Sequence, residues 1–161
     1  MIYSKTCESA LRALIFFADH PEQRSATVEE VSEESHVPSS YVAKIFQCLV
    51  RSKILRSQRG PAGGYSLAVP AGELTLIMVV HALDDPSRSP LTHCVMGFQK
   101  CNDKDPCPLH PVWKKAKEEM VAELEHLTLR DVAALGNKFR YGKQRRFTLS
   151  KRMRDIFSAA K

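Results

Sequence analysis

The chain has 161 residues, 43% of them hydrophobic, and a formal net charge of +6, a balance that supports a folded core and excludes wholesale disorder. No apolar run approaches the ~20 residues of a membrane-spanning helix, and Met1-Ile2-Tyr3-Ser4-Lys5-Thr6 lacks the layout of a secretory signal, so a soluble cytoplasmic protein with no membrane partner is expected. Leu135 to Lys161 carries nine Lys/Arg against one Asp, while the preceding 134 residues sum to −2, so net basicity alone is no argument for nucleic-acid binding.

Leu11, Leu14, Ile15 and Ala18 share one helical face and predict a first helix over residues 5–19. Pro21 ends it. Thr27 and Glu30 form the pattern of a capping box. They open a short helix that buries Val28 and Val31 and breaks at His36-Val37-Pro38. Ser39 is a fitting cap for the next helix, over residues 40–53. Its inward stripe is Val42, Ile45, Phe46 and Leu49, and its outer face carries Ser40, Lys44, Gln47 and Arg51. Helix, tight turn and basic-faced helix make a helix-turn-helix pattern.

The charge pattern points the same way. Ser39 to Gly72 holds Lys44, Arg51, Lys53, Arg56 and Arg59 with no Asp or Glu, directly after a segment bearing Glu29, Glu30, Glu33 and Glu34. A DNA-facing element beside a solvent-facing one has this change of sign. Ile54 to Ser57 and Tyr65 to Val69 then predict two strands around the turn Gly60-Pro61-Ala62-Gly63-Gly64. A hairpin after the second helix is a wing. Its glycines allow close backbone approach, and Arg59 suits the negative potential of a narrow minor groove.

Glu73 to Leu83 predicts a further helix with Leu74, Ile77, Met78 and His81 on its face. Asp84 to Pro111 is a loop rich in Pro, Asp and Cys, of a length that is usually functional or ligand-stapled. A longer helix over residues 112–127 carries the stripe Trp113, Ala116, Met120, Leu124 and Leu127, which suits a dimer element. Thr128 is placed to cap a last short helix over residues 129–135. The basic tail beyond Gly136 reads either as disordered or as a helix around residues 149–160.

Three of the five cysteines, Cys94, Cys101 and Cys107, lie within fourteen residues and are followed by His110. In a reducing compartment such a group suggests metal or redox chemistry rather than a disulfide framework. Thiolates suit both iron–sulfur clusters and zinc. The gaps of six and five residues are wider than a structural-zinc knuckle and lean slightly toward a cluster. Cys48 reads as a small buried residue, and Cys7 opens the first helix. No C-x-x-C and no nucleophile–base pair is present, so an enzyme is not expected.

With the wing and the cysteine loop together, residues 1–135 resemble the bacterial winged-helix iron–sulfur regulators that include IscR, NsrR and RirA. The resemblance is carried by Leu11-Arg12-Ala13-Leu14, Ser40-Tyr41-Val42-Ala43-Lys44-Ile45-Phe46, Arg59-Gly60-Pro61-Ala62-Gly63-Gly64-Tyr65, the cysteine triplet and Leu127-Thr128-Leu129-Arg130-Asp131-Val132. It implies a homodimer crossed through the long helix, a near-palindromic double-stranded DNA operator, and one cluster per subunit. IscR-like members complete a [2Fe–2S] site with a histidine three residues after the last cysteine, which is His110 here. NsrR-like members complete a [4Fe–4S] site with an acidic residue of the partner's N-terminal helix, which corresponds to Glu8. His110 is favoured, because imidazole is the better iron ligand. The chain departs from the pattern in its first cysteine gap, which is one residue longer than usual. Ala43 also stands where IscR has a base-reading glutamate.

The expected fold is mainly α with a small β-hairpin wing, a winged helix-turn-helix joined to a long dimerisation helix. The expected divisions are a DNA-binding domain over 1–83, a cluster loop over 84–111, a dimerisation region over 112–135 and a basic tail over 136–161. Ser39, Ser40, Tyr41 and Lys44 are expected at the major groove, and Arg59, Gly60, Gly63 and Gly64 at the minor groove. The expected function is transcription regulation, in the manner of a repressor, by a cluster that senses iron supply, redox state or nitric oxide. The alternative is a winged-helix regulator with structural zinc or no metal, sensing through thiols or a protein partner.

Overall fold

Ser4 sets the start of the first helix: its hydroxyl accepts the Cys7 N–H at 3.1 Å, while its own N–H and hydroxyl donate to the Asp84 carboxylate. The computed structural model describes residues 3–23, 25–60, 63–85, 92–97 and 101–140, with backbone alone from residue 136. The elements are α1 (Lys5–Asp19), α2 (Val28–Ser35), α3 (Ser39–Arg51), β1 (Leu55–Gln58), β2 (Gly64–Leu67), α4 (Leu76–Leu83), α5 (His110–His126) and α6 (Leu129–Arg140). This is a winged helix-turn-helix followed by two further helices. Among the described residues no helix is long and apolar enough to cross a membrane. Pro61, Ala62 and the tail from Tyr141 lie outside the described residues.

Helix α1 is central. It buries Cys7, Ala10, Leu11, Ala13, Leu14, Phe16 and Phe17, a wider band than a single stripe, because α2, α3, α4 and α6 all pack on it. Burial, with the Asp84 charge nearby, pushes the Cys7 thiol up to about 12, which makes it a core residue rather than a reactive one. The Thr27–Glu30 capping box forms in both directions. His36 then turns the chain at φ 55°, and the Ser32 hydroxyl donates to the Val37 carbonyl at 2.7 Å. Buried Val37 and this bond set the angle between α2 and α3.

The cap of α3 differs from expectation. Pro38 is the capping residue and Ser39 the first helical one, with no side-chain cap bond. The Pro38 carbonyl accepts the Tyr41 and Val42 N–H groups at 2.8 and 2.9 Å, so the turn closes without a hydroxyl. Val42, Ile45, Phe46 and Leu49 are buried as expected, whereas Cys48 is only half-buried. Phe46 is fully buried, with ring centroids 5.9 Å from Phe17 on α1 and 4.9 Å from Tyr65 on the wing. The strands pair antiparallel from Leu55↔Leu67 to Gln58↔Gly64. Ile54 falls before β1 because its N–H donates to Leu49 in the turn that closes α3.

Helix α4 starts at Leu76, three residues later than the pattern suggests. The backbone just before it is engaged elsewhere: Leu129 donates to the Leu74 carbonyl, Leu76 donates to the Leu127 carbonyl, and Thr75 bridges Thr128. This shifts the apolar face to Leu76, Ile77, Val79 and Val80. Met78 and His81 are exposed instead of facing the core, and Leu74 is buried ahead of the helix. Helix α5 begins at His110, with Pro111 in its first turn, where a missing N–H costs nothing. Thr128 and Asp131 cap α6 reciprocally, and that helix runs on to Arg140, past the expected Leu135.

Removing the Phe46 ring leaves a cavity bordered by α1 and the wing, so Phe46→Ala is expected to lower stability by about 3–5 kcal/mol in urea titration. The ends of α1 and α2 are tied by His20 Nε2 and the Glu34 carboxylate at 2.8 Å. That hydrogen bond, reinforced by the Glu34, Glu22 and Asp19 charges, raises the His20 pKa against an opposing effect of burial. The stabilisation is therefore full below the ordinary histidine value of 6.5 and is lost as pH rises through the raised folded value. Glu34→Gln is expected to flatten the dependence of Tm on pH across that window.

Candidate metal centre and nucleic-acid interface

The exposed surface of α3 and the wing is free of carboxylates. Ser39, Ser40 and Lys44 are exposed at the start of α3, as are Arg51, Lys53, Arg56 and Arg59 beyond it. Glu29, Glu30 and Glu33 are exposed on α2. Exposed basic side chains thus accumulate on α3 and the wing, and exposed acidic ones on α2. Tyr41 differs from its neighbours. It is half-buried, and its hydroxyl donates to Thr6 on α1 at 2.8 Å, so it anchors α3 rather than offering a free donor.

The wing glycines have structural work in the hairpin itself. Gly63 donates its N–H to the Gly60 carbonyl at 2.8 Å to close the turn, and a Cβ there would lie 2.5 Å from the Gln58 carbonyl oxygen. At Gly64, with φ +152°, a Cβ would lie 2.6 Å from the Ala26 carbonyl oxygen. That crowding arises because Ala26 and Tyr65 exchange backbone hydrogen bonds at 2.8 and 2.7 Å. Glycine thus permits the segment before α2 to join the hairpin. Gly60 and Arg59 remain exposed near the tip.

The cysteine loop is folded against the start of α5. Gly97 donates to the Cys94 carbonyl, Cys101 to the Thr92 carbonyl and His110 to the Cys107 carbonyl. The Trp113 indole of α5 donates to the His93 carbonyl at 3.0 Å. These bonds gather the four donors into two pairs. Cys94 Sγ and Cys107 Sγ are 3.4 Å apart, and Cys101 Sγ and His110 Nδ1 are 3.2 Å apart. Cys94 is 9% and His110 7% exposed, so both pairs are held at a protein-lined edge. The Cys94 thiol, helped by partial burial, raises the Cys107 pKa. Among the described residues no three of the His, Cys, Asp and Glu side chains converge as a single metal ion would need.

His110 has a further partner. Its Nε2 lies 2.9 Å from an Asp103 carboxylate oxygen, and Lys114 Nζ donates to both oxygens of that carboxylate at 2.9 Å. The hydrogen bond from His110, and then Lys114, hold the Asp103 carboxyl below the usual carboxylate range. The side-chain oxygen of Asn102 accepts the N–H groups of Lys104 and Asp105, which shapes the turn that presents Asp103. A cleft of about 400 Å³ opens beside this group, lined by Cys101, Asp103, His110, Lys114, Glu118 and Val121 among others. The sequence pattern does not single out Asp103 and Lys114. Their signal is modest: an Asp between two cysteines, and a Lys one helical turn after His110. Glu8 is not part of either pair; it lies on α1, where its carboxylate accepts from the Arg12 guanidinium at 2.7 Å.

Comparison with known proteins agrees with this architecture. IscR of Pectobacterium atrosepticum is 29% identical over 120 residues, which covers 74% of this chain and 71% of that protein. Among solved structures, IscR of T. potens superposes with a TM-score of 0.68 at 17% identity, covering 89% of this chain and 94% of that one. CymR, the global cysteine regulator of B. subtilis, superposes with a TM-score of 0.69 at 16% identity, covering 84% and 98%. At such identities the structural likeness establishes the fold. The relatives are transcriptional regulators, not enzymes. Residues 3–135 match the family model described as "Rrf2: Iron-dependent Transcriptional regulator", and the chain belongs to that family of winged-helix transcription regulators.

Proposed function

We propose that this regulator binds double-stranded operator DNA as a homodimer, and that an iron–sulfur cluster held by Cys94, Cys101, Cys107 and His110 controls that binding. The observation that carries the reading is the arrangement of the four donors as two adjacent pairs. A mononuclear zinc site draws three or four ligands around one ion. A [2Fe–2S] cluster instead takes two protein ligands on each of two irons, and histidine is an accepted ligand beside thiolate. The soft thiolates and the imidazole of this loop fit that group. Bound there, the cluster supplies a reversible redox centre that is sensitive to iron supply, oxidants and nitric oxide. The [4Fe–4S] form, with Glu8 of a partner subunit as fourth ligand, draws less support, because His110 lies beside Cys101 in the same chain.

The dimer reading rests on α5. Only His110 and Leu124 are buried along it, and Val112 is 73% exposed. A second copy crossing α5 would cover this surface and pair two recognition helices for a near-palindromic site. In this division residues 1–83 read DNA, 84–111 hold the cluster and 112–135 join the subunits. Ser39, Ser40 and Lys44 approach the major groove and its phosphates, while Arg59 and Gly60 approach the minor groove. The loop is bonded to α5 through Trp113 and to the turn before it through His110. A change in how the cysteines are held therefore reaches the helix that sets the spacing of the two DNA-reading units.

A second reading is favoured by the 3.4 Å approach of Cys94 to Cys107. Two thiols so close are placed for disulfide formation, so sensing by thiol oxidation without a cluster is the alternative.

Anaerobic reconstitution with iron and sulfide is expected to give a visible absorption band and about two irons and two sulfides per chain, with the band lost in Cys94→Ala and Cys107→Ala. A colourless protein that retains only zinc would overturn the cluster reading. In DNA-binding titrations Arg59→Ala is expected to weaken operator binding by roughly tenfold or more, and Lys44→Ala to reduce the salt slope by about one. Unchanged affinity and slope in both variants would reject this DNA face.

A further inference from the structure

The unexplained feature of the cysteine loop is the chain of contacts Cys101–His110–Asp103–Lys114. An ionised carboxylate accepts hydrogen bonds and cannot donate them. The Asp103 oxygen 2.9 Å from Nε2 therefore requires the His110 proton to sit on Nε2. In the neutral ring Nδ1, which lies 3.2 Å from Cys101 Sγ, is then the nitrogen that carries the lone pair on the cysteine side. Without Asp103 the Nε2 proton loses its acceptor, and the ring keeps only the Cys101 contact on its Nδ1 side. Lys114, one turn along α5 from His110, holds both carboxylate oxygens at 2.9 Å. It thereby clamps the loop carrying Cys101 onto the helix carrying His110.

We infer that Asp103 is a positioning residue that fixes the tautomer and orientation of His110, presenting Nδ1 as the ligating atom, and that Lys114 secures Asp103 in that role. This rests on the cluster reading above. Partners of this kind behind a ligating histidine typically change metal retention by about 10–100-fold when removed. Lys114 acts one step further out, in an exposed ion pair, so its removal costs only a few-fold.

The test uses the full chain, reconstituted anaerobically with iron and sulfide. Iron loss to a ferrous chelator is timed, and nitrogen hyperfine coupling is read by pulsed EPR on the reduced protein. Asp103→Ala is expected to lose iron on the order of 10–100 times faster than the wild type and to show a weakened or heterogeneous nitrogen coupling. Asp103→Glu is expected to restore a single coupling and most of the retention. Lys114→Ala should fall between. Melting of the cluster-free proteins establishes that each variant folds. An Asp103→Ala protein with wild-type retention and coupling overturns the inference alone. A wild type with a cluster but no nitrogen coupling overturns it together with the choice of His110. A wild type that assembles no cluster overturns the cluster reading itself, and does so before any variant is compared.

Discussion

The packing of Phe46 between Phe17 and Tyr65 is the contact on which the DNA-binding half depends. One ring joins the central helix α1, the recognition helix α3 and the wing. Interiors are close-packed, so these three elements behave as one body. The bridge between Ala26 and Tyr65 extends the hairpin to the segment that enters α2. Helix α3 and the wing are therefore held at a set spacing.

The second half joins the same core: Leu124 of α5 and Leu129 of α6 are buried in it with Met120, Leu127 and Val132 packed alongside, and backbone hydrogen bonds add to that packing. Helix α5 is attached through the Thr75–Thr128 bridge at one end and through the cysteine loop at the other. Along it only His110 and Leu124 are buried. Under the proposed function its exposed surface is where a second copy would sit. The reactive groups are segregated accordingly. Cys7 is sealed in the core with its thiol pushed to about 12, while Cys101 and Cys107 are only partly buried beside His110.

Much of the fold was legible because the local rules agreed with the tertiary outcome. The Thr27–Glu30 capping box, the stripe of α3 and the hairpin around Gly60–Gly64 are short-range features, and each formed where its residues stood. The boundary of α4 and the setting of Tyr41 depend on partners distant in sequence. The α4 boundary moved because Leu74 and Leu76 found backbone partners some fifty residues away. Tyr41 turned toward Thr6 because α1 lies beneath α3. Gly63 and Gly64, expected at the minor groove, also face the carbonyls of Gln58 and Ala26, which leave no room for a Cβ.

For the cysteine loop and the wing the division is clear. The sequence by itself determined the cysteine triplet Cys94, Cys101 and Cys107 with His110 close behind it, and the acid-free basic stretch from Ser39 to Gly72, because composition and spacing are local properties. Only the tertiary structure decided that the four donors fall into two pairs and that Asp103 and Lys114 stand behind His110. Pairing across a loop is set by where the chain turns and what it docks against. Those turns are fixed by backbone bonds to Thr92, His93 and the start of α5, which residue spacing does not encode.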